Sequence, residues 1–248
     1  MFRPIRLAVA ALALSTFWTG AAIGQDAVDP AERARIESIV RDYLLKNPEI
    51  ILEAMQVLEQ RETAATEQRR QEAIAGLVPT LTASPLTPVV GGPGADVTVV
   101  EFFDYQCGYC KRLFPGLNKV MESDDGVRVV FVEFPILGPA SLVASKAALA
   151  AQEQGLYMEY HTALMEFQGR LDDKAIYEKA AEVGLDVDRL KADMQDPKIA
   201  QYLEMTRAVA DSLNVRGTPA MVIGNQFVGG FVPGEQLEAV IERARAEG

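Results

Sequence analysis

Hydrophobic and polar positions divide the chain into an N-terminal stretch of helical period, a proline- and glycine-rich connection, and a region of alternating strand and helix patterns. In the first stretch Ile36, Ile39, Val40, Tyr43 and Leu44 recur at spacings of three and four, which predicts one apolar face of a helix. Asp29 and Pro30 supply an N-cap and a first-turn proline, and Asn47-Pro48 ends this helix and opens another by the same chemistry. The second helix carries Ile51, Met55 and Leu58, with Ile50, Ala54 and Val57 alongside. Over residues 59–72 the stripe gives way to sequence that is polar all round, which suits a solvated helix or a bridge between domains. Helix is expected from about residue 28 to residue 78. Two helices have little interior of their own, so the stripe is expected to pack on the rest of the chain or on another copy.

Residues 79–96 read as a linker, with Pro79, Pro85, Pro88, Gly91, Gly92, Pro93 and Gly94, and hold at most a short strand near residues 88–90. Val97–Phe103 is apolar, β-branched and aromatic, the pattern of a buried strand. Helix is predicted over 111–121, strand over 127–134, and a helical block over 140–213 broken near Gly155, Gly169, Gly184 and Pro197. Ala220–Ile223 and residues 226–228 are short strands about a Gly224-Asn225 turn, and a last helix follows Pro233-Gly234. The order is β-α-β, a helical insertion, then β-β-α, with no internal repeat.

Composition narrows the classes. Of 248 residues, 49% are hydrophobic and 24% charged, which excludes disorder throughout. The formal net charge is -11 and no stretch is basic, which argues against nucleic-acid binding. Arg3 and Arg6, the apolar run over residues 7–14 and the small residues at 21–24 form a secretory leader, so residues 1–24 are expected to be a cleaved signal peptide. Such a protein is exported and works where disulfides form and persist. The single histidine excludes a multi-histidine metal centre, and the two cysteines cannot build a disulfide-dense scaffold.

Both cysteines lie in Cys107-Gly108-Tyr109-Cys110, where a buried strand ends and a helix begins. Unsatisfied N–H groups and the partial positive charge of a helix N-terminus stabilise a thiolate on Cys107. Cys110, one turn on, can attack a mixed disulfide formed at Cys107 and release the bound group. A bare C-x-x-C also fits a structural pair, a zinc site shared between chains or a two-thiolate Cu(I) site. Thr218-Pro219 precedes the third strand.

With FFDYQCGYC, the downstream GTPA and the inserted helices, the chain resembles a thioredoxin-fold thiol-disulfide oxidoreductase of the bacterial DsbA-like class over about residues 84–247. The resemblance implies that Pro219 is a cis-proline beside the cysteines and that Thr218 offers backbone hydrogen bonds to a bound peptide. It implies that Glu101, six residues before Cys107, relays a proton to the buried cysteine. Residues 40–60, VRDYLLKNPEIILEAMQVLEQ, resemble the N-terminal segment of periplasmic proteins of the suppressor-of-copper-sensitivity C (ScsC) type, in some of which this region builds a trimer that acts as a disulfide isomerase; the resemblance implies a periplasmic location. Gly108-Tyr109 between the cysteines and Thr218 before the proline are similar to isomerases of the DsbC kind and depart from the Pro-His and Val of the oxidase DsbA.

These readings give an α/β thioredoxin fold with an inserted helical domain at about 140–213, set in a domain spanning 81–248 and preceded by a helical oligomerisation segment at 25–80. The expected function is an exported isomerase or reductase in which Cys107 attacks, Cys110 resolves, Thr218-Pro219 positions the peptide, and Gly108, Tyr109 and Thr218 meet it. No cofactor is needed beyond the Cys107–Cys110 disulfide, and no metal is expected apart from the Cu(I) alternative on these two thiolates. The implied partners are misfolded or disulfide-bonded exported proteins, a membrane thiol reductant of the DsbD/ScsB kind, and further copies of the chain, three favoured. A DsbA-like oxidase and a Cu(I)-binding copper-tolerance protein are the alternatives. Among other residues, His161 reads as packed, the phenylalanines and methionines as core, Tyr105 and Tyr109 as the rim of the site, and Asp172, Asp173 and Asp186 as helix caps.

Overall fold

The computed structural model describes residues 29–247, so the leader assigned to residues 1–24 lies outside the described residues. The chain divides into two compact units, meeting at Glu59 and Gln60.

In the first unit, α1 (Pro30–Lys46) starts where Asp29 accepts a hydrogen bond from the Ala31 amide at 3.3 Å. It ends where the Asn47 side chain donates to the Tyr43 carbonyl at 2.8 Å. No residue of α1 is buried, and Ile36, Ile39, Val40 and Tyr43 are all exposed. The second helix, α2 (Glu49–Thr82), begins here with Ile51, Leu52, Met55 and Leu58 exposed as well.

The second unit is built on five strands, β1 (Val89–Val90), β2 (Val97–Phe103), β3 (Val127–Glu133), β4 (Ala220–Ile223) and β5 (Gln226–Gly229), in the order β1-β3-β2-β4-β5. Only β2 and β3 run parallel, joined by α3 (Gly108–Ser123). Both strands are buried on both faces, which is why they read as continuous apolar runs. Side chains alternate across the sheet. Val97, Val99, Phe103, Phe131 and Met221 join the core under α3 and α9 (Gly234–Glu247), and Val100, Phe102, Val130, Val132 and Val222 join a second core on the other face. Between β3 and β4 the chain inserts α4 (Pro139–Ala151), α5 (Tyr157–Glu166), α6 (Asp173–Glu182), α7 (Val187–Asp193) and α8 (Pro197–Ser212). Asp172 and Asp186 cap α6 and α7, as the sequence predicts.

One element departs from the sequence reading. Helix α2 does not stop before Pro79 but continues to Thr82, and Ile74, Leu77 and Leu81 are buried in the second core. A proline this close to the helix end gives up its own N–H bond and crowds the carbonyl four residues back, and burial of Leu77 and Leu81 offsets this with a few kcal/mol. Arg70 ties the same helix down, donating to the Leu213 carbonyl at 3.1 Å and lying 4.4 Å over the Phe227 ring. The division at residue 80 therefore falls inside a packed helix. Leu77→Ala is expected to cost about 3 kcal/mol in a urea melt of the protein. An unmoved midpoint would mean that these turns are no part of the core.

Candidate active site

The strand β2 delivers the chain to the C-terminal end of the sheet, and Asp104 fixes the turn that follows. Its buried carboxylate accepts from the Gln106, Ile136 and Leu137 amides at 2.7, 2.8 and 2.9 Å and from the Ser141 hydroxyl at 2.7 Å. The turn places Cys107 as the N-cap of α3, where its Sγ lies 3.4 Å from the Cys110 amide and 3.2 Å from the Thr218 carbonyl. The Thr218–Pro219 bond is cis, which brings residues 111 positions downstream against the first cysteine. The two sulfurs are free thiols.

Their environments differ sharply. The Cys107 thiol is pushed down to about 5: the hydrogen bond from the Cys110 side chain is the largest cause, burial opposes it, and the Thr218 side chain and the Cys110 and Tyr109 amides add to it. Cys110 is fully buried, and its pKa stands far above the ordinary thiol value because of its hydrogen bond to Cys107, its burial and the nearby Glu101. One sulfur is thus a thiolate at neutral pH and the other a protonated thiol. Thiolate absorbance of the reduced protein is expected to rise as one step of one thiolate centred near pH 5. A step near pH 9, or two thiolates by pH 8, would contradict this asymmetry.

Beneath the pair, Glu101 is wholly buried and neither carboxyl oxygen has a protein hydrogen-bond partner. Burial, then the Cys107 charge, then Glu133 push its pKa up to about 8, so it is a neutral acid at pH 7. On the outer side, Gly108 opens α3, and a Cβ there would meet no atom within 4 Å. Tyr109 is 55% exposed, 6.1 Å from Phe231, with the Arg112 guanidinium 4.1 Å over its ring.

Every residue selected from the sequence for the site lies in or under this end of the sheet, with one correction. Tyr105 is not at the rim: it is fully buried, its hydroxyl 3.0 Å from Glu133 and 2.9 Å from His161. The inserted helix α5 covers it, and nothing in the local sequence shows which side of the turn that helix will occupy. His161 is packed, as expected, among Phe103, Phe114, Phe131 and Tyr157. Three contributors escape the sequence reading: Asp104, Glu133 and Lys111. The Lys111 ammonium donates to the Leu164 and Phe167 carbonyls at 3.0 and 2.6 Å, tying the catalytic helix to the end of α5. A charged residue directly after C-x-x-C carries no signal of such a half-buried bond.

Comparison with known proteins agrees with this geometry. Residues 98–242 match the family of the DSBA-like thioredoxin domain, and residues 32–65 match the copper resistance protein ScsC N-terminal domain. A thioredoxin-like oxidoreductase from Silicibacter pomeroyi is 42% identical over 67% of this chain and 96% of its own, with a TM-score of 0.65. Proteus mirabilis ScsC in a transitional conformation is 30% identical over 88% of this chain and 99% of its own, with a TM-score of 0.66. The Na(+)/H(+) antiporter NhaA 1 of Salinispora arenicola is 32% identical over 160 residues, which are 63% of this chain and 24% of the antiporter. The chain thus spans about a quarter of the length of such curated relatives. A strand-to-helix dithiol, a cis-proline against its first sulfur, a helical insertion and a match over more than half its length lead to one conclusion: the chain belongs to the DsbA-like thioredoxin-domain family and carries an N-terminal segment of the ScsC type.

Proposed function

We propose that this protein is an exported thiol-disulfide oxidoreductase acting as an isomerase or reductase of misfolded periplasmic proteins. The observation that carries the reading is the asymmetry of the two sulfurs, an N-capping thiolate beside a buried thiol. The Cys107 thiolate attacks one sulfur of a substrate disulfide. That S–S bond breaks, a mixed disulfide forms at Cys107, and the departing sulfur leaves as a thiolate and takes a proton from water. In isomerisation a substrate thiolate attacks the mixed disulfide and returns Cys107 unchanged, with no net electron transfer. In reduction Cys110 loses its proton to the ionised form of Glu101 and attacks Cys107. The second substrate sulfur leaves as a thiolate and takes a proton, and the Cys107/Cys110 dithiol has then given two electrons to the substrate and become a disulfide. No further cofactor is required, and a membrane thiol reductant of the DsbD/ScsB kind would restore the dithiol. Thr218 and Pro219 would align the substrate strand, Gly108 would leave room for it, and the exposed Tyr109 would meet it.

The exposed apolar residues of α1 and of the start of α2, in the segment that matches the ScsC N-terminal domain, support a hub that joins copies of the chain, three favoured. Several sites on one particle raise the effective concentration of thiolate around a misfolded chain. One observation favours a second reading: a strongly stabilised Cys107 thiolate makes the disulfide more oxidising, as a DsbA-like oxidase needs. Reactivation of scrambled ribonuclease separates the two, with the mature protein compared with a chain beginning at residue 60. Strong reactivation that collapses in the shorter chain supports the assembled isomerase. Weak reactivation by both, with rapid oxidation of reduced ribonuclease, overturns it in favour of the oxidase. Sedimentation of the mature protein at the mass of one chain would overturn the hub.

A further inference from the structure

The buried carboxyl of Glu133 has no part in the exchange just described, yet three hydroxyl groups converge on it. Its Oε1 accepts from the hydroxyls of Tyr105 and Tyr157, both at 3.0 Å, and its Oε2 from the Ser145 hydroxyl at 2.7 Å. The Tyr105 hydroxyl also lies 2.9 Å from His161 Nδ1, and His161 Nε2 is buried without a partner. Glu133 shares the α3 face of the sheet with Glu101: in the parallel β2–β3 register Glu101 pairs with Phe131 and Phe103 with Glu133, so the two carboxyls are diagonal neighbours.

We propose that Glu133, Tyr105 and His161 form a second buried proton site, and that Glu133 acts through Glu101 as a positioning residue for the thiol chemistry. The second half of this proposal rests on the relay reading of Glu101. The tyrosine has a single hydroxyl hydrogen to serve two neighbours, and two arrangements satisfy the chain of bonds. With Glu133 ionised, Tyr105 donates to Glu133 and His161 donates from Nδ1–H to Tyr105. With Glu133 protonated, Glu133 donates to Tyr105, Tyr105 donates to His161 Nδ1, and the imidazole hydrogen sits on Nε2. The two differ by one proton in total, and His161 is neutral in both but changes tautomer. The imidazole is held neutral by burial, which pushes it down to about 3, and burial likewise raises Glu133 to about 8 against the three donors.

The ionisable groups facing this site are Glu101 on β2, Asp104 and Tyr105 just beyond it, Tyr157 and His161 on α5, and Tyr202 on α8. Among the described residues no cation is hydrogen-bonded or ion-paired to Glu133. Charge on Glu133 therefore disfavours charge on Glu101 and holds Glu101 in its acid form to higher pH.

His161 is the only histidine, so its ring 15N signals report the site without ambiguity. In the reduced full-length protein the ring is expected to change from the Nε2–H to the Nδ1–H pattern in one step as pH rises from about 6 to about 9, without passing through the imidazolium. A single tautomer throughout that range overturns the proton site. Glu133→Gln and Tyr105→Phe should each hold one tautomer at every pH, and a surviving step in either overturns it too. The second arm reads the pH profile for release of glutathione from a Cys107 mixed disulfide. Glu133→Gln should move the midpoint to lower pH and speed release by about one and a half-fold near pH 8.5, where Glu133 is ionised, with little change at pH 7 and the high-pH plateau unchanged. It should do nothing when Glu101→Gln is also present. A profile unmoved by Glu133→Gln overturns the action on Glu101. If Glu101→Gln alone leaves the wild-type profile unchanged, the relay itself fails, and the His161 step still decides the proton site.

Discussion

Cys107→Ser is expected to remove disulfide exchange altogether, whereas Cys110→Ser is expected to arrest it halfway. The difference follows from the two environments. Cys107 holds the capping position that stabilises a thiolate, and serine there stays protonated and does not attack sulfur. Its loss should cost at least about 10^4-fold in rate, down to the background exchange of the reagents. Cys110→Ser keeps the cap and the Thr218 contact, so attack on the substrate continues at a rate set by a somewhat less stabilised thiolate, because the thiol hydrogen bond from Cys110 is replaced by one from a hydroxyl. Without a resolving sulfur the mixed disulfide persists. Non-reducing gels and intact mass of the Cys110→Ser protein after incubation with a disulfide-bonded substrate should show the covalent complex in high yield. A Cys107→Ser protein that forms the same complex through Cys110 would reverse the assigned roles.

Glu101→Leu is expected to make the protein more stable and slower. A carboxyl whose folded-state pKa is raised to about 8 from 4.5 contributes fully below pH 4.5, and its contribution is lost as pH rises from there through 8, where the buried group must ionise without a partner. Leucine removes that penalty. The gain over wild type should be smallest at pH 4, grow through neutrality, and level off above pH 8 about 5 kcal/mol higher. Urea melts at pH 4, 6 and 8.5 measure it. A gain independent of pH would indicate better packing instead of a titrating group. In the same variant, release of glutathione from Cys107 should slow and lose its midpoint near pH 8, since Cys110 has lost its proton acceptor.

How far the sequence carries can be judged from particular residues. Val97–Phe103 and the strand that begins at Val127 are legible because strands covered on both faces need unbroken apolar side chains. The dithiol is legible through motif and position and the cis-proline through the family resemblance, and α3 places its buried Cys110, Leu113, Phe114 and Leu117 on one face at helical spacing. What escapes depends on contacts between segments far apart in the chain. Pro79 reads as a stop because proline breaks isolated helices, and only the sheet beneath Leu77 and Leu81 overrides it. Tyr105 reads as rim because the helix that buries it comes some fifty residues later. Glu133 draws no notice in the sequence, because its three hydroxyl donors come from α4, α5 and the turn after β2.

The burial of His161 bears on how the molecule meets changing acidity. Histidine is the side chain whose ordinary pKa lies between pH 5 and 8, and here the only one is sealed in an aromatic box where it stays neutral. The surface therefore has no imidazole to charge when the surroundings turn mildly acid. The acidic long-range field that an approaching protein experiences, with its formal charge of -11, gains nothing from histidine across that range. Encounter and chemistry are separated in this respect. Acidification leaves the imidazole contribution to the steering of partners unchanged, and its effect falls on the thiol and carboxyl groups beneath them.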